Sequence, residues 1–195
     1  MGALGSNILS RRRREPDASM PKNPDEIEAK VRNRLSIDEA GSLTVGGLRS
    51  VILPVRTLDD LSAAGERIIG SGMAGLLYLA GEQAGEAMAD VALRLAGGAI
   101  SRAIVLDAMR KDVEMRGFGR ISVESFDATR GEARIQVRNS AYADAAPSGK
   151  HGCRFPAGFW AGVVGALARR PVVSEEMRCR RDGADACEFR VAPAS

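Results

Sequence analysis

A chain of 195 residues with 45% hydrophobic and 27% charged positions has room for one well-packed domain and a tail, and nothing in it calls for a second domain. Its longest apolar stretch, around Gly72 to Ala80, falls short of the ~20 residues that cross a bilayer, which excludes a transmembrane helix. The net charge of +3 owes much to Arg11-Arg12-Arg13-Arg14, so the basic balance does not describe the whole molecule and argues for a solvated tail over a nucleic-acid or membrane contact.

Residues 1–23 carry that arginine run and then Pro16 and Pro21, which predicts a disordered, basic, proline-rich tail. Asn7-Ile8-Leu9 is too short an apolar run for a signal peptide, and the expected location is cytoplasmic. Residues 24–41 are expected to be an N-terminal helical segment, opening at Pro24 with Asn23 as N-cap and reaching about Leu35. The domain proper is expected over 42–193.

It begins with a strand pair, Ser42 to Val45 and Leu48 to Val55, around a Gly46-Gly47 turn. Thr57, with Asp60 at the capping-box position, predicts a helix that stops near Gly70-Ser71-Gly72. The longest helix then runs from Met73 to about Ala96, with Gly81, Gly85, Ala89, Ala92 and Ala96 on one side. Glycine inside a helix costs about 1 kcal/mol relative to alanine, so two of them point to close approach of another backbone or to room for a ligand.

A further helix is expected from about Ile100 to Met115, with Ile104, Val105, Ala108, Met109 and Val113 on one face. The period then changes to alternation. Gly119 to Phe126 and Glu132 to Val137 read as an antiparallel hairpin across Asp127 to Gly131. Ala141 to Gly152 reads as a loop, and Phe155 to Arg169 as an amphipathic helix through Phe159, Trp160, Val163, Val164 and Leu167, ended by Pro171. Val172 to Arg181 and Ala186 to Val191 form a last hairpin. The predicted class is α+β, an antiparallel sheet of hairpins packed on long helices.

All three cysteines, Cys153, Cys179 and Cys187, lie in the last quarter of the chain. A turn centred on Gly183 brings Cys179 and Cys187 across from each other, where cross-strand Cβ atoms are about 4.5–5.5 Å apart. With Cys153 and a carboxylate from Glu175-Glu176 they can complete a tetrahedral metal site. Two other readings stay open on spacing alone: a Cys179–Cys187 disulfide, disfavoured in a cytoplasmic setting, or buried inert thiols.

Cys153 before a Phe/Trp-containing helix, Glu176-Met177-Arg178-Cys179, Gly183, and Cys187-Glu188-Phe189 together resemble the 4-vinyl reductase (4VR) domain family. The Gly72, Tyr78, Gly81, Gly85 segment is similar to the family's long glycine-bearing helix. The resemblance covers about 42 to 193 and implies the ligand-binding-domain fold of NO-signalling and Golgi-transport proteins. The zinc-containing sensor domains of phenol- and xylene-responsive activators in this family bind the metal through three cysteines and a glutamate. The resemblance therefore implies zinc held by Cys153, Glu176, Cys179 and Cys187. Glu176 and Cys179 are three apart, so a regular strand would point them to opposite faces and a bulge or strand start must lie between them. Four protein ligands leave no open position, which makes the implied site structural.

The family also implies an apolar pocket for an apolar or aromatic small molecule, and Tyr78, Phe118, Phe155, Phe159 and Trp160 are the candidate lining. The phenol-binding members use a histidine and a tryptophan upstream of the first cysteine. Here the single histidine, His151, is two residues from Cys153 and the single tryptophan follows it, so the resemblance does not extend to phenol. The expected function is a sensory or carrier domain. One alternative is a tetrapyrrole vinyl reductase or its accessory protein. The other is a dimeric scaffold resembling TRAPP-type vesicle-tethering subunits. No dinucleotide fingerprint follows a strand, and no catalytic residue is assigned. A homodimer and a separate signalling or biosynthetic partner complete the expectations.

Overall fold

The computed structural model describes residues 36–45, 48–97, 100–145 and 153–194. The expected tail, the helix up to Leu35, the Gly46-Gly47 turn and His151 lie outside them.

Two antiparallel sheets and five helices make up the described chain. The small sheet has β1 (Ser36–Ile37), β2 (Leu43–Val45) and β3 (Leu48–Arg49) in the order β1-β2-β3. It therefore extends upstream of residue 42. Next come α1 (Val55–Ile69), α2 (Gly72–Ala96), α3 (Arg102–Met115), β4 (Arg120–Asp127), β5 (Glu132–Arg138) and α4 (Ala141–Ala145). The chain finishes with α5 (Arg154–Ala168), β6 (Val172–Arg178), a 3-10 turn at Arg180–Asp182 and β7 (Cys187–Pro193). The main sheet has the order β4-β5-β7-β6, antiparallel throughout. The class is α+β.

Four local expectations are corrected. The strand predicted from Leu48 to Val55 stops at Arg49, because β2 offers only three residues to pair with; Val51, Ile52 and Leu53 are exposed and unpaired in any sheet. Helix α1 starts at Val55 behind Pro54, whose φ of −57° suits helix entry, so Thr57 sits within the first turn and donates its N–H to the Pro54 carbonyl. The loop expected from Ala141 contains α4. Finally, α5 is apolar on nearly every side, because it is enclosed between the main sheet and α2.

The glycines explain how α2 approaches so closely. A Cβ at Gly81 or Gly85 would fall on the carbonyl oxygens of Phe155 and Phe159 in α5. In return, a Cβ at Gly158 or Gly162 would fall on those of Tyr78 and Glu82 in α2. The two backbones thus touch through paired glycines, and of the two readings of this face, backbone contact is the one realised at Gly81 and Gly85.

Side chains cover both edges of the main sheet, which blunts edge-to-edge pairing. At β4, the Ile121 N–H donates to Glu114 Oε1 (2.6 Å) and the Ile121 carbonyl accepts from Arg110 Nη1 (3.3 Å). At β6, the Ser174 N–H donates to the Tyr78 hydroxyl oxygen (2.9 Å).

The small sheet is tied to α3 by Arg116. Its guanidinium donates to Asp112 Oδ2 (2.7 Å) and to the Val45 carbonyl (3.0 Å), and Asp112 is 5% exposed. Arg116→Ala would leave a buried carboxylate without its cation. The expected cost is about 2 kcal/mol, read as a lower midpoint in urea. A Lys substitution should recover part of it.

Candidate metal centre and aromatic cluster

The turn between β6 and β7 positions two of the thiols. Strand β6 ends at Arg178, paired with Glu188, so Cys179 falls one residue beyond the strand and Cys187 begins the next. Between them the 3-10 turn returns N–H groups of Asp182 and Ala184 to the Cys179 carbonyl at 3.1 and 3.3 Å. Gly183 closes it at φ +90°, a conformation that glycine adopts without strain.

The register of β6 on β7 shifts between Glu176 and Arg178. Met177 is the extra residue. This bulge lies where the spacing demanded one, and it lets Glu176 and Cys179 share a side. Cys153 is the N-cap residue of α5, brought in from the helix layer.

The four side chains converge. Cys153 Sγ lies 3.7 Å from Cys179 Sγ and 3.6 Å from Cys187 Sγ. One donor atom from each of Cys153, Glu176, Cys179 and Cys187 falls within 4.8 Å of all the others. This group can hold a metal ion. Cys153 and Cys187 are buried, whereas Glu176 and Cys179 are partly exposed. The Oε1 atom of Glu176 is buried without a hydrogen-bond partner. An unmet buried carboxylate oxygen is costly, and a cation among the sulfurs would satisfy it.

Without a cation the thiols hold their protons unevenly. Cys153 is pushed well up by donating its proton to Cys187, then by burial and by the nearby Glu176 charge. Burial raises Cys179 to about 12. Cys187 is lowered, first by the hydrogen bond from Cys153; burial opposes this, and the Arg180 N–H reinforces it. The Arg181 N–H likewise favours the Cys179 thiolate. Backbone donors are therefore in place for sulfur anions that a metal would complete.

A ring cluster adjoins the N-terminal half of α5. Tyr142 of α4 stacks on Phe155 (centroids 5.2 Å apart, 11° between planes), and Phe118 meets Tyr142 edge-on at 5.2 Å. Phe118 also lies 5.3 Å from Phe159, which contacts Trp160 at the same distance. Phe159 and Trp160 are fully buried, while Phe118, Tyr142 and Phe155 are half-buried. Burial raises the pKa of the Tyr142 hydroxyl.

Of the five rings expected to line a pocket, four are brought together. Tyr78 stands apart, its hydroxyl engaged at the edge of β6. Tyr142 was missed because its segment reads as loop; the signal was Ser140 ahead of the alanine-rich run Ala141 to Ala145. A separate concavity of about 290 Å³ opens on the charged outer face of the sheet, among Arg134, Met177, Glu188 and Arg190.

The family model of the 4-vinyl reductase (4VR) domain matches residues 133–193, a span that holds all four converging donors and α5. Residues 133–193 are a 4VR domain. Among solved structures, the phenol-responsive sensory domain of the transcription activator PoxR, determined with phenol, superposes with a TM-score of 0.77 at 19% identity, covering 89% of this chain and 92% of that one. A vinyl-4-reductase family protein from Methanocaldococcus jannaschii gives 0.52 at 20% identity, over 88% and 94%. Trafficking protein particle complex subunit 3 from Naegleria fowleri, covalently bound to palmitic acid, gives 0.51 at 15% identity, over 72% and 95%. At such identities these are likenesses of fold, and they extend well beyond the 4VR segment. No curated protein matches the sequence. Among the described residues no helix is long and apolar enough to cross a membrane.

Proposed function

We propose that this protein is a zinc-stabilised small-molecule-binding domain, sensory or carrier in role, whose ligand contacts the half-buried rings of Phe118, Tyr142 and Phe155. The observation that carries the metal is the sulfur spacing. Zinc at about 2.3 Å from each thiolate in a tetrahedron sets sulfurs about 3.8 Å apart, and the Cys153 sulfur stands 3.6 and 3.7 Å from its two neighbours. Glu176, with its orphaned buried oxygen, is the fourth donor. Bound there, zinc would be fully coordinated by protein and would contribute folding energy, with no position left to activate water.

The metal would clamp the β6–β7 turn to the first turn of α5, the helix that presents Phe155 and Phe159. This links the centre to the rings. The half-buried rings offer flat apolar surface, and the tyrosine adds a polar handle, a combination suited to an apolar or aromatic ligand. The fold shared with the phenol-responsive domain of PoxR supports a sensory role.

A ligand that binds only the folded state raises thermal stability, by about 2.7 kcal/mol at a hundred times its dissociation constant. A thermal-shift screen over aromatics, tetrapyrroles, fatty acids and isoprenoids is expected to give a hit that Tyr142→Ala abolishes. Turnover of a hit with added nicotinamide or flavin would instead support the vinyl-reductase reading. Failure of every class would favour a dimeric scaffold, a reading for which α1 speaks: none of its residues is buried, and Leu61 and Ile68 are exposed on it, as are Leu76 and Leu79 on α2.

A further inference from the structure

The donors of this centre differ in what solvent can reach. Cys187 and Cys153 are 0% and 2% exposed, whereas Cys179, just past the end of β6, is only partly buried. A solute entering from water therefore meets Cys179 first. Its sulfur has a second sulfur, that of Cys153, at 3.7 Å. The two residues come from different layers, the β6–β7 turn and the cap of α5, so a bond between them would cross-link those layers directly.

We propose that Cys179 is an oxidant-reactive thiolate resolved by Cys153, so that hydroperoxides convert the metal centre into a disulfide and release the zinc. The inference rests on the metal reading above and adds regulation to it. Metal coordination keeps the sulfurs as thiolates, the nucleophilic form. The Cys179 sulfur attacks one peroxide oxygen; an S–O bond forms, the O–O bond breaks, and hydroxide (or alkoxide) leaves. Cys153 then attacks the Cys179 sulfenic sulfur; an S–S bond forms, the S–O bond breaks, and a second hydroxide leaves. Two thiolates lose two electrons in all, and the peroxide, with two protons from solvent, is reduced to two waters. Cys187 and Glu176 alone are too few donors to retain zinc in a closed tetrahedral site.

The expected consequence is reversible loss of the clamp on α5. A dithiol reductant and added zinc should restore it, because a disulfide lies on the recoverable rungs of cysteine oxidation.

The test uses the full wild-type chain. Its zinc content is measured first, then hydrogen peroxide is added in equimolar steps while released zinc is read with a chromogenic chelator. Peptides from a non-reducing digest are mapped by mass spectrometry. The expected result is zinc release in step with a Cys153–Cys179 disulfide, both reversed by dithiothreitol. Zinc retained through several equivalents, a Cys179–Cys187 bond, or Cys179 found only as sulfinate would overturn the proposal. A chain purified without metal would refute the metal reading, and peptide mapping of that same chain would still decide whether Cys179 pairs with Cys153. Brief alkylation of the native protein gives an independent check: Cys179 should be labelled before the other two.

Discussion

Removing the metal from the purified protein with a strong chelator is expected to lower its Tm by about 10 °C, and Cys187→Ser should do much the same. Cys187 has no solvent exposure, and its sulfur belongs to the four-donor group. Serine preserves the shape but is a poor zinc ligand at neutral pH. Because a structural metal's binding energy is folding energy, losing one ligand of four costs roughly 4 kcal/mol, which for a domain of this size corresponds to about 8–16 °C. If the thiols were inert, the serine would cost only the burial of one hydroxyl, roughly 1–3 kcal/mol, and the chelator would shift nothing. Chelation of the wild type is therefore the cleaner arm. Acid should have the same direction as the chelator, since Cys153 and Cys179 hold their protons strongly in the metal-free site and must shed them to bind.

The second large effect is expected at Gly158. Helix propensity alone would favour Gly158→Ala by about 1 kcal/mol. Packing reverses the sign. The new Cβ would fall on the Tyr78 carbonyl oxygen and stand 2.7 Å from its carbon, and backbone in the neighbouring helix cannot rotate away as a side chain can. The helices must separate, unpacking a contact that runs the length of α5, at a cost of about 3 kcal/mol. Gly75 is the control. It lies in the same α2 helix, a methyl group added there would meet nothing within 4 Å, and Gly75→Ala should stabilise by up to about 1 kcal/mol. Urea denaturation of both variants reads the contrast. A Gly158→Ala protein as stable as wild type would mean that α2 and α5 do not touch in this way.

Much of this architecture was legible because it is periodic. The small-residue stripe Gly81, Gly85, Ala89, Ala92 and Ala96 marked the buried face of α2, and alternation marked β4 and β5. The bulge at Met177 could be inferred from stereochemistry alone, since Glu176 and Cys179 had to face one way. Other features depended on partners that a linear reading does not contain. Strand β3 is short because β2 is short, and α5 is apolar all round because the sheet and α2 enclose it. That Gly158 and Gly162 answer Gly81 and Gly85 depends on the crossing of two helices far apart in sequence. Tyr78 looked like a pocket residue by type, yet its hydroxyl serves an edge strand whose position no local pattern reveals. Tyr142 joined the rings through a five-residue helix too short for periodicity to show.

Native mass spectrometry of freshly purified full-length protein tests the central claim most directly, because metal and retained ligand are weighed on the same ion. The account predicts the chain mass plus one zinc, a mass that falls to the bare chain after acid or chelator, with any co-purified small molecule lost on mild activation before the metal. A bare chain from a metal-replete, reducing preparation would contradict it, since Glu176 and three converging sulfurs would then be buried together for no reason that the metal reading supplies.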